Sequence, residues 1–340
     1  MDWTRGYSSE WHVHEVDVAT WADGPEVGRV DGASIERVTG GLCESGTFSV
    51  TKAVGEDFRE RYLRLVLVAS QDGMRERVEV ATMLCSSESG HVDRKRDSAS
   101  VTGRSVLYPA SARQLLEGSY APKGANGAEY AASLLRGSIA APVAVDGAFT
   151  IGVNVVFDLG DSYLDAAWAV LDAGNFTMQV DGHGTVHVLP TPSEPTVNAD
   201  GGLFVPGIDY DLDMSGIKNR YTAMYGGLSA TAVNDDPSSP TSTVSRGYVE
   251  DEVDKSPVLL DGETLAAYAV RKLREGSVAR RTLGYEREYH PAVLPGSVLS
   301  AHVPAGGLEG RIRSSRQSLS IGRRISVRED AVLEVTTWLG

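Results

Sequence analysis

Cysteine is nearly absent: Cys43 and Cys85 are the only two in 340 residues. Two are too few for a disulfide framework and fit a reducing compartment, so free, partly buried thiols are expected. No apolar run is long enough to span a bilayer. The first ten residues, Met1 to Glu10, lack the basic and then apolar segments of a cleaved signal, so a soluble chain with no membrane segment is expected. Aromatic residues are sparse at 7 %, while 37 glycines give the composition a turn-rich but ordinary globular character that excludes long disorder. Basic charge is also short, 32 Lys and Arg against 46 Asp and Glu, leaving a net charge of -14. That argues against a surface that coats nucleic acid, because phosphate binding needs clustered Lys and Arg. An acidic surface suits a conduit along which DNA slides without sticking, and it serves solubility alone equally well.

The signatures of catalysis are missing as well. There is no zinc-binding H-E-x-x-H helix, no G-x-S-x-G elbow and no G-x-x-x-x-G-K-[ST] phosphate loop. Ser49-Val50-Thr51-Lys52 matches S-x-x-K, but in a β-rich stretch without the accompanying motifs. The densest carboxylate group, Asp209, Asp211 and Asp213, falls on one face if its segment is extended. As a calcium loop it fails at Met214 and Arg220, where glycine and a bidentate glutamate are needed. His12 and His14, and His183 and His187, form pairs with no third ligand at a suitable spacing. The expected catalytic, metal and cofactor sets are therefore empty.

What is present is a succession of short β patterns. Over residues 1–107, alternation in Trp11 to Val18 places Val16 and Val18 on one face with His12 and His14, and the odd-numbered residues on the other. Short strands follow at Val27 to Val30, Ala33 to Val38 and Thr47 to Val50. Asp72-Gly73 then joins Tyr62–Ser70 to Met74–Met83 as a hairpin, and a first β-barrel fits the whole. Residues 108–190 change period and read as an α+β insert. Its helices are Ala110 to Leu116, Gly127 to Leu135 and one from Asp161-Ser162 to Gly174. Its strands are Phe149 to Phe157, Phe176 to Val180 and Thr185 to Leu189. A proline-rich linker covers 191–202. Residues 203–340 return to strands as a second β-barrel, with Lys218 to Tyr225, Thr243 to Val253, Val298 to Val303, Leu308 to Ser315 and Ala331 to Trp338. One helix, about 262–275, interrupts them. The fold class is mainly β, two small barrels plus a mixed α/β domain, and no exact repeat links the halves.

The closing stretch carries the most specific order: Tyr289-His290-Pro291, Leu294-Pro295-Gly296, then Gly307-Leu308-Glu309-Gly310 leading to Arg313. With Gly103-Arg104-Ser105 and Asn219-Arg220 ahead of Pro237-Ser238-Ser239-Pro240, this order resembles the tail hub (baseplate hub) family of bacteriophages and prophages. The resemblance implies a tail-tube barrel duplicated in one chain, and a homotrimer whose six barrels form a pseudo-sixfold ring joining tube to tip. It also implies partners among the tube, distal tail and spike or tip proteins, with DNA only as passing cargo. Assembly in the host bacterial cytoplasm and residence at the virion tail tip follow from the same likeness. Unlike many relatives, Trp338-Leu339-Gly340 follows the last strand with no appended lysozyme-like or peptidase domain, which tells against cell-wall degradation. Arg311, Arg313, Arg316, Arg323 and Arg324, with Arg328 beyond, make a basic cluster without stacked aromatics, so acids of a partner subunit are the expected target. The competing readings are a carbohydrate-active hydrolase using Asp209, Asp211 or Asp213, and a carbohydrate-binding β module.

Overall fold

The chain begins with β1 (Ser8–Val16), β2 (Asp23–Val38), β3 (Glu44–Lys52), β4 (Tyr62–Gln71), β5 (Met74–Val92) and β6 (Asp97–Ser105). The computed structural model describes residues 1–3, 5–52, 57–58, 60–92, 97–198, 204–303, 308–322 and 325–338. In β6 every odd-numbered residue is buried and every even one exposed, the period of a strand with one face in a core. The six strands close in the order β1-β2-β3-β6-β5-β4 and back to β1, with every pairing antiparallel. Asp72 and Gly73 take φ of 49° and 81°, as a tight hairpin turn requires. Val27–Val30 and Ala33–Val38 are parts of one long strand. In β1 the buried residues are Trp11, Val13 and Val16, and Val18 is 55 % exposed. A register shift between His14 and Val16 moves Val16 to the buried side, so the expected face holds only in part.

The insert contains α1 (Tyr108–Ala112), β7 (Tyr120–Ala121), α2 (Gly127–Arg136), β8 (Val143–Val145), β9 (Val155–Val156), α3 (Tyr163–Ala173), β10 (Phe176–Val180) and β11 (Val186–Pro190). Local chemistry sets its helices. The Asn126 side chain accepts from the amides of Ala128 and Glu129, and Ser162 with Asp165 forms a reciprocal capping box ahead of α3. The strand expected over Phe149–Phe157 is only β9. Its apolar residues serve a loop, in which Ile151 bridges Leu260 and the Phe149 ring packs tilted against Phe176 with centroids 4.9 Å apart. Helix α1 ends at Ala112 because Gln114 bridges Ser162 instead.

The second half holds β12 (Pro195–Asn198), β13 (Phe204–Asp213), β14 (Arg220–Tyr225), β15 (Leu228–Val233), α4 (Thr243–Arg246), β16 (Asp251–Asp254) and α5 (Leu265–Gly276). It ends with β17 (Val278–Glu288), β18 (Val298–Val303), β19 (Leu308–Ile321) and β20 (Ile325–Thr336). Two expectations change here. Thr243–Val253 is not one strand: the Ser242 hydroxyl accepts from the Ser245 amide and starts α4, which Gly247 ends at φ 70°. A second helix is thus present, and the proline-rich stretch 191–202 contains β12. Strands β14 to β16 form a separate small sheet, with α5 packed on it through Tyr268, Ala269 and Leu273.

The remaining strands run in the order β12-β18-β19-β20-β17-β13. This repeats the order β1-β4-β5-β6-β3-β2 of the first barrel. Three differences mark the second set: β12 runs parallel to β18 where β1 and β4 are antiparallel, the β14–β16 unit is spliced between the strands equivalent to β2 and β3, and among the described residues β12 and β13 do not pair as β1 and β2 do. The two sets are one sheet, joined where Ala33–Val38 of β2 pairs with Arg316–Ile321 of β19. Ile35, Leu319, Ile321, Ile325 and Val327 are buried in a core common to both.

Candidate assembly interface

Buried ion pairs and hydrogen bonds brace these units. Arg64, 1 % exposed, pairs with Asp23, donates to the Thr82 hydroxyl at 3.0 Å, and donates to the carbonyls of Trp21 (3.2 Å) and His183 (2.9 Å). It thereby ties the first barrel to the Asp181–Gly184 turn of the insert. Arg37 and Glu44, directly opposite across β2 and β3, form a buried pair at 3.5 Å. Burial pushes the Glu44 carboxyl up to about 7 against the pull of Arg37. Arg287 and Glu329 form the buried pair of the second set. The Lys52 ammonium of the S-x-x-K match is held by Glu88 and by Asp97 at 4.0 Å, an ion-pair role.

The arginines singled out in the sequence meet acids and carbonyls of their own chain. Arg311 bonds the Ser193 carbonyl at 3.1 Å and pairs with Glu194 at 3.0 Å. Arg313 donates to the carbonyls of Pro192 (2.7 Å) and Gly296 (3.2 Å), and Arg316 pairs with Glu36 across the β2–β19 joint. Arg323 and Arg324 lie outside the described residues. Arg328 lines a cleft of ≈ 380 Å³ with Ile208, Asp209, Tyr285 and Glu286. Of the three aspartates, only Asp209 reaches that cleft. All three are exposed on β13, and Ser215 holds the Asp213 carboxyl below its usual range through its hydroxyl and amide.

His12 bonds Glu26 at 2.9 Å, and His187 bonds Asp181 at 2.9 Å, which raises the His187 pKa. Among the described residues no three His, Cys, Asp or Glu side chains come together as metal ligands. Both cysteines are free and buried, and desolvation pushes the Cys43 thiol up to about 12 and Cys85 to about 11.

Two sheet edges were not singled out by the sequence. Among the described residues, β13 pairs only with β17, and β5 beyond Cys85 pairs only with β6. The stretch Ser87–Val92 is the exposed continuation of a 19-residue strand whose β4 partner has ended. The only sequence signal for it is that apolar residues give way to Ser86-Ser87-Glu88-Ser89-Gly90 while the strand goes on. An unpaired edge of this length is a template for another strand.

No family model matches the chain, and no curated protein matches it in sequence. Its fold is that of solved phage tail proteins. It is similar to the tail protein from Neisseria meningitidis MC58, with a TM-score of 0.65 at 15 % identity over 97 % of each chain. The 43 kDa tail protein of prophage MuSo2 from Shewanella oneidensis follows with a TM-score of 0.60 at 12 % identity, over 95 % of this chain and 98 % of that one. The E. coli c3393 protein, described as a component of the type VI secretion system with structural similarity to the T4 tail proteins gp27 and gp5, gives 0.51 at 10 % identity, over 89 % of this chain and 74 % of its own.

Proposed function

We propose that this chain, which carries the fold of phage tail proteins along nearly its whole length, is a structural subunit of a phage or prophage tail. Three copies form the hub ring that joins tube to tip and lets DNA pass. The observation that carries the reading is the repeated six-strand order within one chain. Two barrels per chain turn a trimer into six similar units, which lets a threefold tip meet a sixfold tube. The net charge of -14 suits a passage that must not retain DNA.

The role is geometric rather than catalytic. Asp209, Asp211 and Asp213 lie exposed along an edge strand, a placement that favours contact over acid–base chemistry. The partners are further copies of the chain and the tube, distal tail and spike or tip proteins, and the place of action is the virion tail tip after assembly in the host cytoplasm.

Sedimentation of the purified chain, alone and with the neighbouring tail proteins of its own gene cluster, tests this. A species of three chain masses with an open centre in negative stain is expected. A monomer under both conditions overturns the reading.

A further inference from the structure

The joint between the barrels inside one chain defines the joint between chains. We propose that Ile208–Asp213 of β13 in one copy pairs antiparallel with Ser87–Val92 of β5 in the next. This rests on the ring reading above and adds to it the strands and their register.

The two barrels can be aligned residue by residue without superposition. In the β5–β6 pairing, Ser86 is skipped between Cys85 and Ser87, and in the β19–β20 pairing Ser315 is skipped between Ser314 and Arg316. Each bulge lies equally far from its hairpin end, Val92 opposite Asp97 and Ile321 opposite Ile325. Ser87–Val92 is therefore equivalent to Arg316–Ile321. Carrying the same alignment across β6 to β3 to β2, and across β20 to β17 to β13, makes Ala33–Val38 equivalent to Ile208–Asp213.

Arg316–Ile321 and Ala33–Val38 are the two stretches that pair in the chain. Their equivalents are the two edges that, among the described residues, lack a second partner strand. The in-chain register, Leu319 opposite Ile35 and Ile321 opposite Ala33, translates into Gly90 opposite Tyr210, Val92 opposite Ile208, His91 opposite Asp209 and Ser89 opposite Asp211.

Burial and charge support this occupant. Ile35 and Ile321, 1 % and 6 % exposed, are buried at the in-chain joint, whereas their equivalents Tyr210 and Val92 stand 71 % and 58 % exposed. Leu212 beside them is 43 % exposed. A second copy covers these apolar side chains as the chain covers its own. The face carrying Asp209, Asp211 and Asp213 meets His91, Ser89 and Ser87, with no acid opposite it. Glu88 falls on the other face, where it accepts from the Phe58 amide at 3.0 Å. Its equivalent Gln317 likewise holds the matching loop by donating to the Val293 carbonyl at 3.1 Å. That loop leaves the β19 edge open to β2, and the equivalent arrangement serves β13.

Paired cysteines read the register directly. Ser89→Cys with Asp211→Cys, and His91→Cys with Asp209→Cys, are oxidised under mild conditions and resolved on denaturing gels, all four sites being exposed. Single-cysteine variants monitor exchange with buried Cys43 or Cys85, and Ser87→Cys with Asp209→Cys is the control slipped by four residues, about 13 Å. Sedimentation is run on the same samples. Covalent dimers and trimers from the two register pairs, and none from the slipped control, are expected. A trimer in sedimentation that the register pairs do not link, or that the slipped pair links equally, overturns the strand pairing and leaves the ring standing. A monomer with no cross-links overturns both.

Discussion

Ser86 and Ser315 occupy the same place in two barrels. Each is the skipped residue of a β-bulge, and each donates its Oγ to the carbonyl opposite the next residue of its strand, Ser86 to Thr102 at 3.0 Å and Ser315 to Asp330 at 2.8 Å. A bulge redirects a strand and increases its local twist. Here both bulges fall where the strand leaves one partner and becomes available to another. The Ser315 carbonyl also accepts from the Thr39 amide at 3.0 Å, so this bulge starts the joint between the barrels. The match extends the repeat from strand order to single hydrogen bonds.

Removing either hydroxyl is expected to be mild. Ser315→Ala should cost about 1 kcal/mol and the more exposed Ser86→Ala less, the net worth of one such hydrogen bond. Urea midpoints measure both, and a loss above about 3 kcal/mol for either would mean that the hydroxyl does more than close its bulge.

A charge in the first barrel should not be mild. Val66 is 1 % exposed in β4, so Val66→Asp buries a carboxylate without a partner, at a cost of about 3 kcal/mol or more. Loss of soluble, folded protein by circular dichroism is expected, while wild-type stability would show that the strand can turn this position to water.

The turn Asp181–Gly184 is one contact between insert and barrel, beside the core they share. A Cβ on Gly182 would lie 1.8 Å from the Glu79 carbonyl oxygen, a backbone atom that moves only with its strand. Gly182→Ala should therefore destabilise by about 1–3 kcal/mol and speed proteolysis between the barrel and residues 108–190. Unchanged digestion under native conditions would contradict the packing.

Most of the chain's regular structure was legible where the signal was local. Asp72-Gly73 demanded positive φ and gave its hairpin, and Ser162 and Gly174 bounded α3. Two causes lie behind the misreadings: partners supplied by distant residues and, at Thr243–Val253, a local cap. Phe149–Phe157 looks like a strand because its apolar residues are buried, but Ile151 takes its partner Leu260 from the other half of the chain. Thr243–Val253 has strand composition, and a single serine cap at Ser242 overrides it. The sequence offers Arg316 to acids of a partner subunit; within the chain it pairs with Glu36, on a strand near the other terminus. The free edges were illegible for the same reason: whether a strand has one neighbour or two is a property of topology.

Stability should also depend on pH through Glu44. Burial raises its folded pKa from 4.5 to about 7, so the folded state binds this proton more tightly than the unfolded chain. The contribution is full below about 4.5 and is lost as pH rises through about 7. Thermal melts across that window should show Glu44→Gln to be less sensitive to pH than wild type. Parallel profiles would mean that Arg37 keeps the carboxylate ionised.

The most direct test of the account is an electron cryo-microscopy reconstruction of the assembled chain without imposed symmetry. Three copies around an open centre are expected, with the two barrels of each alternating as six near-equivalent units. A closed particle, or a ring in which only one barrel of each chain faces the centre, would contradict it.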